Sequence, residues 1–273
     1  MLSDKKIFFI GAGNMGGAIL CALTDSGYPP ELIFFYEPNE EQAHKVFEKS
    51  KAIRLAFLSD GFLKADVVFL CIKPQIFSKI RRELIEGLMD LDRHPIVISV
   101  MAGVPVSALK TPLLTRYNFV RTMPNIAVTV KKGTVAIATD NVEESVLQLV
   151  EFLFSKCANT VRVHENQMDA VTGLSGSGPA FIFQFIEALA MGGVKMGLQR
   201  DVAMKLALST MIGSVKMLEN SSSGPSELTA DVCSPAGTTI AGLQALENRA
   251  FKGAVMAAVE TAAKRSAELG KAK

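Results

Sequence analysis

Residues suited to holding a small acid lie near the carboxyl end of the sequence, in the stretch Ser234-Pro235-Ala236-Gly237-Thr238-Thr239 and its continuation to Leu243. Proline and glycine punctuate the start of this stretch, and an apolar helical pattern follows to Glu247. Backbone N–H groups at the start of a helix lack intrahelical partners and point outward. The stretch therefore predicts a helix N-terminus that suits an anion such as a carboxylate.

A second chemical motif, Gly11-Ala12-Gly13-Asn14-Met15-Gly16, follows the apolar run that ends at Ile10. It matches the G-x-G-x-x-G pattern between a strand and a helix. In that pattern the first glycine permits the tight turn, the second lets the backbone approach a pyrophosphate, and the third lets the helix pack on the sheet. The motif predicts a dinucleotide site, and a purely structural glycine-rich turn is the alternative.

Glu37 lies about 20 residues after Gly16 and is followed by Pro38, so the pair falls where an acidic side chain meets the adenosine ribose. A carboxylate accepts a hydrogen bond from a 2′-hydroxyl and repels a 2′-phosphate. No arginine follows closely in the sequence. These features favour NADH over NADPH as the cofactor, with capping of the strand end as the alternative role for Glu37.

Two further loops follow buried strands and leave the predicted sheet at its carboxyl edge, where ligands bind in such folds. They are Cys71-Ile72-Lys73-Pro74 and Val100-Met101-Ala102-Gly103. Ile72, Pro74 and the residues of the second loop are candidate cofactor contacts. Lys73 either reaches a ribose hydroxyl or phosphate, or is a solvated lysine at a strand end.

The elements that must position these residues alternate between apolar runs and helical patterns as far as about residue 162. This alternation predicts an α/β Rossmann domain with a doubly wound parallel sheet at 1–162. Helical periodicity dominates residues 163–273 and predicts an all-helical domain. Within it, Gly192-Gly193 is expected to interrupt the first long helix, which runs from Gln167 to Met196.

Composition limits the classes of partner and compartment. A net charge of +2 gives no electrostatic footprint for nucleic acid or an anionic membrane. The most apolar stretch, Ala180 to Val194, contains Gln184 and Glu187 and is too short to span a bilayer. The four cysteines are widely spaced and suggest neither disulfides nor a metal site, as expected of a cytoplasmic protein.

Taken together, these motifs make the sequence resemble pyrroline-5-carboxylate reductases, the last enzymes of proline biosynthesis. The matching segments are Gly11–Gly16, Ile72-Lys73-Pro74, Met123-Pro124-Asn125, Leu174–Ala180, Gly192–Leu198 and Pro225–Glu247.

The resemblance implies an N-terminal Rossmann domain and a C-terminal helical domain that forms dimers or assemblies of dimers. It implies hydride transfer from NAD(P)H to the imine carbon of a five-membered ring, which gives L-proline. It places Thr239 beside the imine nitrogen as the catalytic side chain, and the backbone of Ala236, Gly237 and Thr238 at the carboxylate. Ser177 and Ser234 are further candidate substrate contacts. The sequence departs from the family at Ser221-Ser222-Ser223, where members often carry an acidic residue.

The residues are compatible with imine reduction. A protonated imine is already electrophilic, so no strong acid is required, and none of His44, His94 and His164 has an obvious acid–base partner in the sequence. The Thr239 hydroxyl can donate to or accept from the ring nitrogen. For Thr238 and Thr239, helix N-capping is the alternative role.

Two other functions are considered. A β-hydroxyacid dehydrogenase shares this layout but places a catalytic lysine on the long central helix; Ser175–Phe185 has none, and Lys195 lies beyond the expected glycine break. A non-catalytic dinucleotide sensor is the second alternative, and the presence of Gly237 and Thr239 argues against it.

Overall fold

The computed structural model of the chain describes residues 4–89, 91, 94–110, 116–138, 140 and 142–271. They divide into two compact units. The first comprises the described residues up to Ser177 together with those from Thr261, and the second is Gly178–Glu260. The predicted boundary lies earlier, after residue 162. The sequence pattern also did not predict that the described residues from Thr261 onward pack with the first unit.

The first unit contains an eight-stranded sheet with the order β3-β2-β1-β4-β5-β6-β7-β8. Neighbouring strands are parallel except for β6 and β7, which are antiparallel. This arrangement confirms the predicted doubly wound sheet. The strands are β1 (Ile7–Ile10), β2 (Ile33–Tyr36), β3 (Ile53–Arg54), β4 (Val67–Leu70), β5 (Ile96–Ser99), β6 (Phe119–Pro124), β7 (Gly133–Ala138) and β8 (Ala158–Val163).

Helices cover both faces of this sheet, which explains the continuous apolar runs in its central strands. Successive residues of β1 alternate between two cores: Phe9 packs in one and stacks on Phe69 at 4.6 Å, whereas Phe8 packs in the other against Phe62. The helices of the chain are α1 (Asn14–Asp25), α2 (Glu40–Ser50), α3 (Leu58–Phe62), α4 (Pro74–Met89), α5 (Val106–Leu109), α6 (Glu144–Phe154), α7 (Met168–Val171), α8 (Gly178–Lys195), α9 (Arg200–Glu219), α10 (Pro225–Asp231), α11 (Thr238–Glu247) and α12 (Phe251–Lys271).

A buried charge on β6 links the sheet to the end of the chain. The guanidinium of Arg121 lies 3.7 Å from a carboxylate oxygen of Glu165 and 3.7 Å from one of Asp169. Burial lowers the pKa of Arg121, and the two carboxylates oppose that effect. Ser266 of α12 donates a 2.7 Å hydrogen bond to Asp169. This network helps to explain why the last turns of α12 belong to the first unit.

The second unit is all helical, as predicted, and it has a very small core of its own. Its buried apolar residues are Ala190, Ala203 and Ala207. The expected break at Gly192-Gly193 is wrong, because α8 continues through both glycines to Lys195. A Cβ on Gly193 would lie 3.2 Å from the Cβ of Ala203. The missing side chain therefore lets α8 and α9 approach closely.

Many large apolar side chains of the second unit are exposed, including Ile212 at 64% and Met256 at 71%. The helical segment Glu165–Lys195 is 31 residues long and strongly apolar. Only 6% of its most apolar 18 residues are buried. By length and composition alone this segment could cross a membrane, so the expectation that its apolar stretch is too short does not hold for the whole helix. An exposed apolar surface of this kind marks an interaction site.

Candidate functional site

The glycine-rich turn after β1 has the geometry of a dinucleotide cradle. Gly11 has a φ of +90°, and a Cβ there would lie 2.6 Å from the carbonyl oxygen of Cys71. A Cβ on Gly16 would lie 2.3 Å from the carbonyl oxygen of Gly11, so α1 packs directly on the turn. Only glycine is compatible with both contacts.

Gly13 has a different role in the same turn. It is the N-cap of α1, no side chain caps this helix end, and a Cβ on Gly13 would meet nothing within 4 Å among the described residues. The first N–H groups of α1 have no intrahelical partners, and the space beside Gly13 is open. These features fit a pyrophosphate at the start of α1.

Glu37, just after β2, is fixed against this turn. Its carboxylate accepts 3.0 Å hydrogen bonds from the backbone N–H groups of Ala12 and Asn39. Gln42 of α2 donates a 2.8 Å hydrogen bond to the carbonyl oxygen of Ala12. Each oxygen of Glu37 retains a free lone pair for a ribose hydroxyl. Glu37 and Pro38 line one cleft, whose volume is about 480 Å³.

Arg54 is a residue of this cleft that sequence reasoning missed. The sequence shows no arginine soon after Glu37, but β3 pairs with β2 in parallel and sets Arg54 beside Phe35. Its guanidinium donates to both carboxylate oxygens of Glu40, at 2.6 and 2.7 Å, and to the carbonyl oxygen of Glu37 at 3.2 Å. Recognising Ile53-Arg54 as the third strand of a Rossmann unit would have revealed this neighbour.

The two other predicted loops leave the same edge of the sheet. The last residues of β1, β4 and β5 lie side by side, with Leu70 between Ile10 and Ser99. The loops that follow these three strands therefore leave the sheet next to one another. Ile72 is half-buried, Lys73 is exposed, and Pro74 begins α4.

In the loop after β5, Met101 points into the core with 1% of its surface exposed, so a cofactor contact there would involve its backbone. Gly103 has a φ of +72°, and a Cβ there would lie 2.8 Å from the carbonyl oxygen of Ser266. Ala102 lies between these two constrained residues. The loop is thus held by the core on one side and by α12 on the other.

In the second unit, the stretch after α10 forms the helix start that the sequence predicts. α11 begins at Thr238 with Gly237 as its N-cap, and no side chain caps it. Ala236 has a φ of +58°, and the N–H of Gly237 donates a 3.0 Å hydrogen bond to the carbonyl oxygen of Ser234. A Cβ on Gly237 would lie 2.2 Å from the Ser234 hydroxyl oxygen, so a larger residue would disturb the turn.

The two threonines do not cap α11. They occupy its first two positions, and neither hydroxyl makes a hydrogen bond within the described part of the chain. Thr238 is exposed, and Thr239 is half-buried. The capping alternative is therefore wrong, and the Thr239 hydroxyl is available to a ligand.

The first unit brings two motifs of the sequence together next to Ser177. Thr172–Gly176 forms a turn of π-helix, a feature frequent at functional sites. A Cβ on Gly176 would lie 2.6 Å from the terminal methyl of Met123, and Asn125 donates a 3.5 Å hydrogen bond to Ser175. Ser177 ends this turn, with its N–H bonded to the carbonyl oxygen of Thr172.

No group of three or more metal-binding side chains exists among the described residues. The four cysteines are free thiols. Burial raises the pKa of the Cys71 thiol and raises that of Cys157 to about 11. These two thiols are therefore poor nucleophiles at neutral pH.

Comparison with known proteins covers both units. A family model for pyrroline-5-carboxylate reductase dimerisation matches residues 165–269, and one for coenzyme F420-dependent NADP oxidoreductases matches residues 6–103. The pyrroline-5-carboxylate reductase of Synechocystis is 39% identical over 269 residues, which is 97% of this chain and 98% of the relative. The chain belongs to the pyrroline-5-carboxylate reductase family.

Other members of the reductase family match over their full length. The enzyme of Methanosarcina acetivorans is 40% identical and covers 99% of this chain, with 100% of its own length covered. A solved pyrroline-5-carboxylate reductase from Coxiella burnetii superposes with a TM-score of 0.88 at 29% identity, covering 97% of this chain and 98% of its own. The Plasmodium falciparum enzyme, solved with NADP bound, gives a TM-score of 0.87 at 28% identity and covers 98% and 99%.

Proposed function

We infer that this chain reduces 1-pyrroline-5-carboxylate to L-proline with NAD(P)H, the last step of proline biosynthesis. The observation that carries this inference is the full-length match to reductases at 39–40% identity. The glycine-rich turn before α1 and the uncapped start of α11 supply the two kinds of binding site that such a reaction needs.

The substrate is a cyclic imine with a carboxylate on the ring carbon next to the nitrogen. The backbone N–H groups of Ala236 and Thr238 lie at the positive end of α11, which suits them to hold that carboxylate, whereas the N–H of Gly237 already donates to the carbonyl oxygen of Ser234. The Thr239 hydroxyl, on the same turn, then lies beside the ring nitrogen and holds or passes its proton. Bound NAD(P)H supplies the hydride for the imine carbon. Orientation of the ring contributes most of the rate enhancement, because a lone hydroxyl is a weak acid.

The proposal includes substrate contacts by Ser177 and Ser234. It also includes cofactor contacts by the two loops that follow β4 and β5. Ser234 is exposed and lies on the same turn as Gly237, which supports its inclusion. Ser177 ends the π turn of the first unit. Lys73, Pro74, Met101 and their neighbours leave the sheet at the edge where cofactors bind in this fold.

We further propose that NADH is the preferred cofactor. The fixed carboxylate of Glu37 supports this preference, because it can accept from a 2′-hydroxyl and would repel a 2′-phosphate.

We also propose a homodimer formed through the second unit. The dimerisation family model spans 165–269, and the second unit buries only three alanines while it exposes many large apolar side chains. A second copy covering this surface accounts for the apolar helix Glu165–Lys195 without a membrane.

The test is oxidation of NADH by the purified chain in the presence of 1-pyrroline-5-carboxylate, with formation of L-proline measured in parallel. We expect turnover that depends on both reactants. Tight NADH binding without turnover would favour a dinucleotide sensor, and turnover with a β-hydroxyacid instead would favour the dehydrogenase alternative.

A further inference from the structure

Among the described residues that line the cleft beside the end of β2, Arg54 carries the one guanidinium, and it is paired with the carboxylate of Glu40. Arg54 forms a bidentate pair with Glu40, the first residue of α2, and also donates to the backbone carbonyl of Glu37. Glu37, Glu40 and Arg54 all line this cleft.

The register of the sheet fixes where Arg54 stands. Phe35 of β2 lies opposite Arg54, and the N–H of Leu55 donates a 2.8 Å hydrogen bond to the carbonyl oxygen of Phe35. The Arg54 side chain is 35% exposed, against 80% for Glu40. Arg54 is therefore held at the ribose end of the dinucleotide site, and Glu40 reaches it from the rim.

A guanidinium in this place is the group that would bind a 2′-phosphate, because its fork matches phosphate oxygens. Here it is already paired. To use the fork formed by the two terminal nitrogens of Arg54, a 2′-phosphate would have to displace the Glu40 carboxylate. At the remaining N–H donors of Arg54 it would still lie close to the carboxylates of Glu40 and Glu37. Competition with Glu40 for Arg54 and repulsion by the two carboxylates both weaken NADPH binding. Neither effect weakens the binding of NADH, whose 2′-hydroxyl is uncharged.

We propose that the Glu40–Arg54 ion pair is a determinant of cofactor specificity. By pairing with Arg54, Glu40 prevents that guanidinium from binding the 2′-phosphate of NADPH. This proposal rests on the proposed function, and specifically on the assignment of the cleft to the adenosine ribose. Glu40 discriminates against NADPH, and Arg54 is the residue that would bind the phosphate if Glu40 did not pair with it.

The test compares Glu40→Gln with Glu41→Gln. Both substitutions remove one negative charge from the first turn of α2, and each disrupts an ion pair. Glu41 pairs with Lys45 instead and does not line the cleft. We expect E40Q to tighten NADPH binding about tenfold, the order expected for one charge-assisted hydrogen bond, while NADH binding changes much less. We expect E41Q to leave the ratio of the two dissociation constants at its wild-type value.

Arg54 is then removed in the E40Q background. If Arg54 is the phosphate ligand, the double variant E40Q/R54Q loses the gain in NADPH affinity. A gain that survives without Arg54, or an equal gain in E41Q, would overturn the proposal, because either result reports the loss of negative charge alone.

Binding of 2′,5′-ADP and 5′-AMP, measured by calorimetry, separates this proposal from the proposed function, since these fragments need no imine and no turnover. We expect E40Q to improve binding of 2′,5′-ADP relative to 5′-AMP. Wild-type turnover with an unchanged fragment ratio in E40Q would overturn the specificity proposal alone. A wild-type chain that binds neither NADH nor 5′-AMP would overturn both.

Discussion

Thr239 offers the proposed chemistry a single hydroxyl that the fold leaves unused. It is half-buried at the second position of α11 and has no hydrogen-bond partner in the described part of the chain. Because Gly237 occupies the cap position, the hydroxyl is not required for the stability of the helix. Its removal therefore tests function with little effect on folding.

Replacing Thr239 with alanine should lower kcat for 1-pyrroline-5-carboxylate by about 100-fold, the lower end of the range for loss of a proton-handling group. NADH affinity, measured by fluorescence, should stay within about twofold of the wild type. Thr239→Ser keeps the hydroxyl and should restore much of the rate. An unchanged kcat in T239A would remove this side chain from the mechanism.

Replacing Glu37 should change the choice of cofactor. Glu37→Gln keeps the length of the side chain and one acceptor oxygen but removes the charge that repels a 2′-phosphate. We expect the ratio of kcat/KM for NADPH to that for NADH to rise about tenfold. Thermal unfolding serves as the control for the lost contacts to Ala12 and Asn39. If the ratio stays constant, the carboxylate only supports the turn.

At the scale of elements, the turn between β1 and α1 combines two glycines with separate functions. Gly16 is required by packing, since a side chain there would collide with the backbone of Gly11. A Cβ added to Gly13 would meet no atom of the described residues within 4 Å beyond its chain neighbours and its own helix, and its φ of −64° is one that any residue adopts. Packing therefore does not require glycine at position 13, and we expect the ligand to require it.

Alanine at these two positions should separate folding from binding. Gly13→Ala should leave the unfolding temperature near that of the wild type and weaken NADH binding by about tenfold or more, because its methyl group would face the pyrophosphate. Gly16→Ala should destabilise the fold by about 1–3 kcal/mol, the range for overpacking. Calorimetric unfolding and NADH titration of both variants provide the comparison. Equal destabilisation by the two substitutions would contradict it.

For the whole molecule, we expect stability to depend on assembly. Helices α8 to α11 bury three small side chains and expose a large apolar surface, so the second unit has little means of folding without a covering partner. If the partner is a second copy, the stability of the chain must depend on its concentration.

Light scattering of the chain purified without detergent should give the mass of a dimer or of an assembly of dimers. Ile212→Lys places a charge on the exposed apolar surface of α9 and should shift the population towards smaller species. Val130→Lys is the control, because Val130 lies in the first unit and is 68% exposed, close to the 64% of Ile212. It should have no effect on assembly. A monomeric wild type, or solubility only in detergent, would contradict the proposed dimer.

The sequence by itself determined the features that depend on contiguous residues. The turn at Gly11–Gly16, the carboxylate at Glu37 and the start of α11 at Gly237-Thr238 are set by local backbone conformation and by the N–H groups that a helix start leaves unpaired. The alternation of buried strands and helices likewise predicted the doubly wound sheet, since periodicity is a local property of the chain.

Only the tertiary structure decided which distant side chains meet. Strand register brought Arg54 beside Glu37 and Glu40. The close approach of Ala203 on α9 gave Gly193 a packing role inside the continuous helix α8. The returning α12 supplied Ser266 to the network of Arg121. Such contacts arise from packing between elements that are far apart in sequence, and no local pattern of residues records which elements will become neighbours.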